Sequence, residues 1–254
     1  MTSIPRPSLE QAAQTWLTQT DASMDDPSLI RLRAALEDFL AKRFHGAAAD
    51  LRAVHDLRNS LLDDGRSIES HVAEGAQSWD RSSLGKAASD SAPPELGRLL
   101  FSLVWNLRPG SVLELGTNIG ISAAYLQVGL QHTGGGELTT IEASGARLVL
   151  AERHFDALGL AHPNWVEGYF DDVLADCLAE IRPPDLAFID GNHREDATVR
   201  YFHLVGEAMP AGAVMVFDDI RWSEGMLGAW EEISRSTAVT ASVDLGRIGL
   251  VVRS

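Results

Sequence analysis

The stretch Val112-Leu113-Glu114-Leu115-Gly116-Thr117-Asn118-Ile119-Gly120 constrains this chain more than any other. The largely apolar run from Ser111 to Leu115 fits a parallel strand covered on both faces. It stops at a glycine, turns at Thr117-Asn118 and enters a helix near Ile119-Gly120-Ile121-Ser122. Gly116 has no Cβ, so a ligand can lie against the backbone there. The N-terminus of the following helix faces whatever sits in the turn.

Downstream, strand-like and helix-like segments alternate. Helices are expected over about 120–131, 145–158, 171–181, 194–208 and 224–235. Between them lie the strands Leu138 to Glu142, Trp165 to Glu167, Leu186 to Asp190 and Ala213 to Phe217. Val239 to Leu245 and Ile248 to Val252, split at Gly246-Arg247, read as an antiparallel hairpin. The pattern predicts an α/β fold: a Rossmann-like, doubly wound, mostly parallel seven-stranded sheet ending in that hairpin.

Upstream the pattern is helical. Leu9, Ala12, Ala13, Trp16 and Leu17 follow a possible cap at Ser8, and residues 28–44 and 47–62 carry similar stripes. A further helical piece is expected from Ser67 to Glu74. Residues 75–93 are polar and contain Gly and Ser, so they read as a loop, either a lid over a site or a linker. The expected organisation is a helical arm over 1–74, a lid or linker over 75–93 and the main domain over 94–254, with a helix opening at Pro94.

Composition excludes several function classes. A formal net charge of −15 opposes binding to a phosphate backbone. No apolar run is long enough to span a membrane, and the first residues lack a signal core. The single cysteine, Cys177, cannot form an internal disulfide and suits a reducing cytoplasm. The expected partner is therefore a small molecule, with no nucleic acid and no membrane. The arm adds the expectation of a homodimer.

Ligands in such sheets bind beyond the carboxyl ends of the strands. Those ends carry Gly116, Glu142, Gly168-Tyr169-Phe170-Asp171, Asp190-Gly191-Asn192-His193 and Asp218-Asp219. A dinucleotide site asks for G-x-G-x-x-G, but here the glycines are Gly116 and Gly120, with Thr117 between. This spacing favours a nucleoside with a short charged tail over a dinucleotide. Glu142, ending the next strand, is placed to accept both ribose hydroxyls; the competing reading is that it caps the following helix. If the fourth and fifth strands are neighbours, Asp190, Asp218 and Asp219 crowd together and call for a cation or protons. Mg²⁺ or another hard divalent ion would suit them. The alternative is that they cap helices or contact the cofactor without metal.

Taken together, the segments Val112 to Gly120, Thr140-Ile141-Glu142, Phe188 to His193 and Val216 to Ile220 resemble the class I S-adenosylmethionine-dependent methyltransferases over residues 91 to 254. They are most similar to the metal-dependent O-methyltransferases of the catechol, caffeoyl-coenzyme A and macrolide-sugar types. The resemblance implies that Glu114, Gly116, Thr117, Gly120 and Ser122 surround the methionine part of S-adenosylmethionine. It places Glu142 at the ribose, Phe170 and Asp171 at the adenine, Asp190 beside the cofactor and Ser91-Ala92 at its tail. It makes Asp190, Asp218 and Asp219 the ligands of Mg²⁺ or another divalent cation, with Asp219 where the catechol type commonly has Asn.

The catechol type has a lysine three residues after the first metal Asp. Here that residue is His193, and only Lys42 and Lys86 occur in the chain, neither near this strand end in sequence. His193 and Asp190 are thus the expected catalytic pair, His193 as proton acceptor; the plainer alternative is a structural or helix-capping histidine. Trp222 and Trp79 are candidate pocket walls or ordinary core residues. The remaining histidines show no shared metal spacing and read as surface or helical residues. The leading expectation is O-methyl transfer to a hydroxyl of a small molecule. Metal-independent N- or carboxyl-methyl transfer and non-catalytic cofactor binding stay open; an NAD-dependent dehydrogenase is opposed by the glycine spacing.

Overall fold

The computed structural model describes residues 7–20, 25–68 and 82–254. Three helices come first: α1 (Leu9–Gln19), α2 (Pro27–Leu40) and α3 (Ala48–Leu61). Their starts follow from local chemistry. Ser8 and Gln11 form a reciprocal capping box, and Asp26 accepts from the Ser28 and Leu29 amides with Pro27 in the first turn. α2 stops at Leu40, short of the expected residue 44. Beyond it Lys42 and His45 take left-handed backbone, and the buried Asp38 carboxylate gathers Arg43, His45 and Asn106.

The expected loop over 75–93 is corrected in its second half, where Leu84–Asp90 form helix α4, capped by Ser83. The expected helix from Ser67 is not present at its start: Ser67 forms an antiparallel bridge with Ser83. The rest of that piece, the first part of the expected lid and Trp79 lie outside the described residues.

The remaining elements are α5 (Pro94–Leu107), β1 (Ser111–Leu115), α6 (Ile121–Thr133), β2 (Glu137–Glu142), α7 (Gly145–Leu158), β3 (Asn164–Glu167), α8 (Phe170–Glu180), β4 (Leu186–Ile189), α9 (Glu195–Ala208), β5 (Val214–Phe217), α10 (Glu224–Ser234), β6 (Val239–Asp244) and β7 (Gly249–Arg253). They build one seven-stranded sheet in the order β3-β2-β1-β4-β5-β7-β6. β1 to β5 are parallel, and β7 runs antiparallel between β5 and β6. The expected fold class holds, C-terminal hairpin included.

Strand alternation sends two sets of side chains to two cores. Val112, Leu186, Phe188, Val214 and Val216 meet α5, α6 and the N-terminal helices, whereas Leu113, Leu115, Ala187, Ile189, Met215 and Phe217 meet α8, α9 and α10. Leu32, Leu36 and Phe39 of α2 are fully buried in the first core alongside Leu96 and Leu100 of α5. Among the described residues, no helix is long and apolar enough to cross a membrane.

Because α2 shares this core, Phe39→Ala should lower stability by about 3–5 kcal/mol and leave one cooperative transition in denaturant. Two separated transitions in the unmutated protein, read by tryptophan fluorescence and circular dichroism, would contradict the shared core.

Candidate cofactor pocket and active site

β1 lies between β2 and β4, so the strand order reverses beside it. A cavity of about 690 Å³ opens there, beyond the strand ends. Its floor is the turn after β1. Gly116 has φ +106, and a Cβ on it would stand 1.9 Å from the Asp190 carbonyl oxygen. The glycine is therefore required by the close passage of two strand ends.

Asn118 holds the turn in place. Its backbone is left-handed (φ 50), a conformation Asn tolerates. Its amide donates to Glu142 Oε2 at 2.9 Å, and its side-chain Nδ2 donates to the Ala87 carbonyl and to Ser91 Oγ. Arg147 Nη1 donates to Asn118 Oδ1 at 3.0 Å and Nη2 to Ser82 Oγ. α4 is thereby tied over one edge of the cavity. By sequence alone Asn118 reads only as a turn residue, and its tolerance of αL backbone is the signal for its role. From the other side, His154, a helical residue of α7 as expected and buried, lies 2.8 Å from the Ile119 carbonyl through Nδ1.

Of the expected cofactor residues, Gly116, Ser122, Glu142, Phe170, Asp171 and Asp190 line the cavity. The Glu142 carboxylate also accepts from the Ser144 amide at 3.0 Å, so it fixes the entry to α7 while facing the cavity. Burial pushes its pKa up, and its backbone hydrogen bonds oppose the shift. The Phe170 ring packs over Gly191 and meets Tyr201 edge-on at 5.6 Å. Asp171 accepts from Arg200 at 2.6 Å and from the Tyr201 hydroxyl at 3.0 Å.

Four expected residues sit behind the lining. Thr117 is fully buried with its hydroxyl 2.5 Å from that of Thr140, and Gly120 packs against Ala151. Ala92 is buried, while its neighbour Ser91 reaches the cavity. Glu114 lies beneath the floor, where Oε2 accepts from Thr140 at 2.6 Å and, among the described residues, Oε1 has no hydrogen-bond partner. Burial pushes its pKa to about 7, against the pull of the Thr140 and Ser122 hydroxyls.

At the end of β4, His193 also lines the cavity, with Nε2 3.6 Å from Asp190 Oδ1. The exposed Trp222 ring lies 6.3 Å from the His193 ring. Lys86, remote in sequence, is brought to the same cavity by α4 and pairs there with Asp90.

Asp190, one of the three expected metal ligands, lines the cavity. Asp218 and Asp219 follow β5, next to Asp190, but neither lines the cavity. Both Asp218 oxygens accept from Arg247, through Nε and Nη2 at 2.6 Å each, and Arg247 Nε lies 3.1 Å from Asp219 Oδ1. Among the described residues no three carboxylate, histidine or cysteine side chains are arranged to hold an ion. In the sequence Arg247 reads only as part of the hairpin turn at Gly246-Arg247. A lone arginine between two apolar strands was the signal.

Residues 113–220 match a family model described as a methyltransferase domain. The fold is that of a class I methyltransferase. An O-methyltransferase from Bacillus cereus in complex with SAH superposes with a TM-score of 0.60 at 20% identity, covering 87% of this chain and 98% of that one. An O-methyltransferase from Streptomyces achromogenes involved in tomaymycin synthesis, in complex with SAM, gives 0.57 at 23% identity over 80% and 96%. A protein-L-isoaspartate O-methyltransferase from Chromobacterium violaceum is 31% identical over 142 residues, 54% of this chain. The chain spans 58% of the length of that curated relative.

The buried Glu114 makes stability depend on pH. Its pKa is raised on folding from 4.5 to about 7, so the folded protein binds the extra proton. That contribution is complete below the unfolded value and is lost as pH rises through about 7. Glu114→Gln should therefore flatten the fall in melting temperature between these two values; an unchanged slope would contradict the assignment.

Proposed function

We propose that this chain is an S-adenosylmethionine-dependent O-methyltransferase acting on a hydroxyl of a small molecule. One observation carries the reading: a single cavity holds the Gly116–Glu142 edge suited to a nucleoside and, at its other strand end, the Asp190–His193 pair. The SAM- and SAH-bound structural neighbours support methyl transfer as the chemistry.

The residues divide the work by position. Glu142 accepts hydrogen bonds from the ribose hydroxyls, Phe170 packs against the adenine, and Gly116 leaves room for the methionine portion. When bound, the cofactor supplies a methyl group activated on a sulfonium. His193 accepts the proton of the acceptor hydroxyl as its oxygen bonds to the methyl carbon and the carbon–sulfur bond breaks. Asp190 Oδ1, 3.6 Å from His193 Nε2, orients the imidazole for that transfer. Trp222 forms a flat apolar wall for the acceptor. No step is routed through a divalent ion, because Arg247 already engages the expected ligand Asp218. Self-association through the N-terminal helices accompanies this reading, and a light-scattering mass tests it.

Carboxyl methylation is the second reading, favoured by the isoaspartate methyltransferase relative. The two differ in their need for a base: a hydroxyl must lose a proton, whereas a carboxylate is already ionised at neutral pH. Acceptors can be found by screening phenols, sugars, carboxylates and metabolite extracts for labelled methyl transfer. On a hydroxyl acceptor, His193→Ala should lower kcat by about 10²–10⁴-fold with S-adenosylhomocysteine affinity unchanged. Near-normal kcat in that variant across pH would remove the base role and favour the carboxylate reading.

A further inference from the structure

The arginine at the acidic strand ends is placed there by strand register. β7 pairs antiparallel with β5, Phe217 standing opposite Gly249. Continuing that register past the strand ends brings residue 247 opposite residue 219. The backbone fixes it: the Ile220 amide donates to the Arg247 carbonyl at 3.0 Å, and Asp244 Oδ1 accepts from the Gly246 amide at 2.8 Å. The guanidinium then meets Asp218 edge-on through two hydrogen bonds and touches Asp219 as well. Fork-to-fork pairing of this kind is the strong form of the arginine–carboxylate contact.

A divalent ion needs several oxygen ligands at about 2.0–2.6 Å with free lone pairs. Asp218 is 1% exposed; its Oδ1 accepts from both Arg247 Nε and the Asp219 amide, and its Oδ2 accepts from Arg247 Nη2. An ion bound to Asp190 and Asp219 would stand beside a fixed positive charge. We propose that Arg247 is the resident cation of this strand-end cluster, so that the chain, read as a methyltransferase as above, binds no divalent metal at Asp190, Asp218 and Asp219. Arg247 acts as a positioning residue. It holds the β5 end and supplies part of the positive charge that offsets the carboxylates around Asp190.

Direct titration with Mn²⁺, followed by calorimetry and by the electron paramagnetic resonance of free Mn²⁺, tests this. The full chain should show no saturable Mn²⁺ binding at millimolar ion. Arg247→Met, which keeps an apolar stem, and Arg247→Ala should each gain a Mn²⁺ site that the added Asp218→Asn change abolishes. Saturable Mn²⁺ binding by the unmutated chain that Asp218→Asn removes would overturn the proposal. So would folded Arg247 variants that gain no site. If neither variant folds, the titration of the unmutated chain and its Asp218→Asn form decides alone. S-adenosylhomocysteine binding is measured on the same samples. Its absence would count against the methyltransferase reading and leave the metal result standing.

Discussion

The passage of the β1 end against the β4 end, at Gly116 and Asp190, is the contact on which the rest of the site depends. The Asp190 amide donates to the Leu115 carbonyl at 2.9 Å, while the Gly116 and Thr117 amides donate to the Ile141 carbonyl. Three strand ends are thus locked at one point, with no space for a Cβ at residue 116. Adjacent strands stand about 4.8 Å apart, so residues at or just past these three ends are brought to the same cavity. Gly116, Glu142 and Asp190 reach it in this way, from three separate stretches of sequence.

Charge is the second constraint. Glu114, Asp190 and Asp218 lie close together under or beside the cavity, and burial raises the pKa of each. Asp190 is pushed well above the usual carboxylate range by burial first and by Asp218 next, with Arg247 pulling the other way. Such a cluster persists in a folded protein only with protons or cations close by. Arg247 comes from the hairpin that the sheet topology inserts beside β5. The same topology that completes the sheet thereby offsets part of the charge at its functional end.

The order of elements was legible because Rossmann-like alternation is written in short, local patterns: β-rich runs ending in Gly116, Glu142, Asp190 and Asp218, each followed by a helical period. Side-chain direction was harder to read. Thr117 and Glu114 belong to the cofactor segment by position, yet the turn after β1 and the strand pleat, respectively, direct them into a buried hydroxyl–carboxylate network. Lys86 and Arg247 escaped because each reaches the site from an element distant in sequence, through α4 and through the β6–β7 turn. α4 itself was hidden by its Gly and Ser content. Its start depends on the Ser83 cap, and its seat depends on the long-range bonds from Asn118.

In the proposed methyltransferase, the cavity beside β1 binds a nucleoside cofactor through Glu142. Isothermal titration with S-adenosylhomocysteine tests it most directly, using the unmutated chain and Glu142→Ala, each checked for folding by thermal melt. One saturable site per chain is expected, with an affinity about tenfold or more weaker in the variant, from the loss of hydrogen bonds to a buried carboxylate. Absence of binding to the folded unmutated chain, or equal affinity in both, would contradict it.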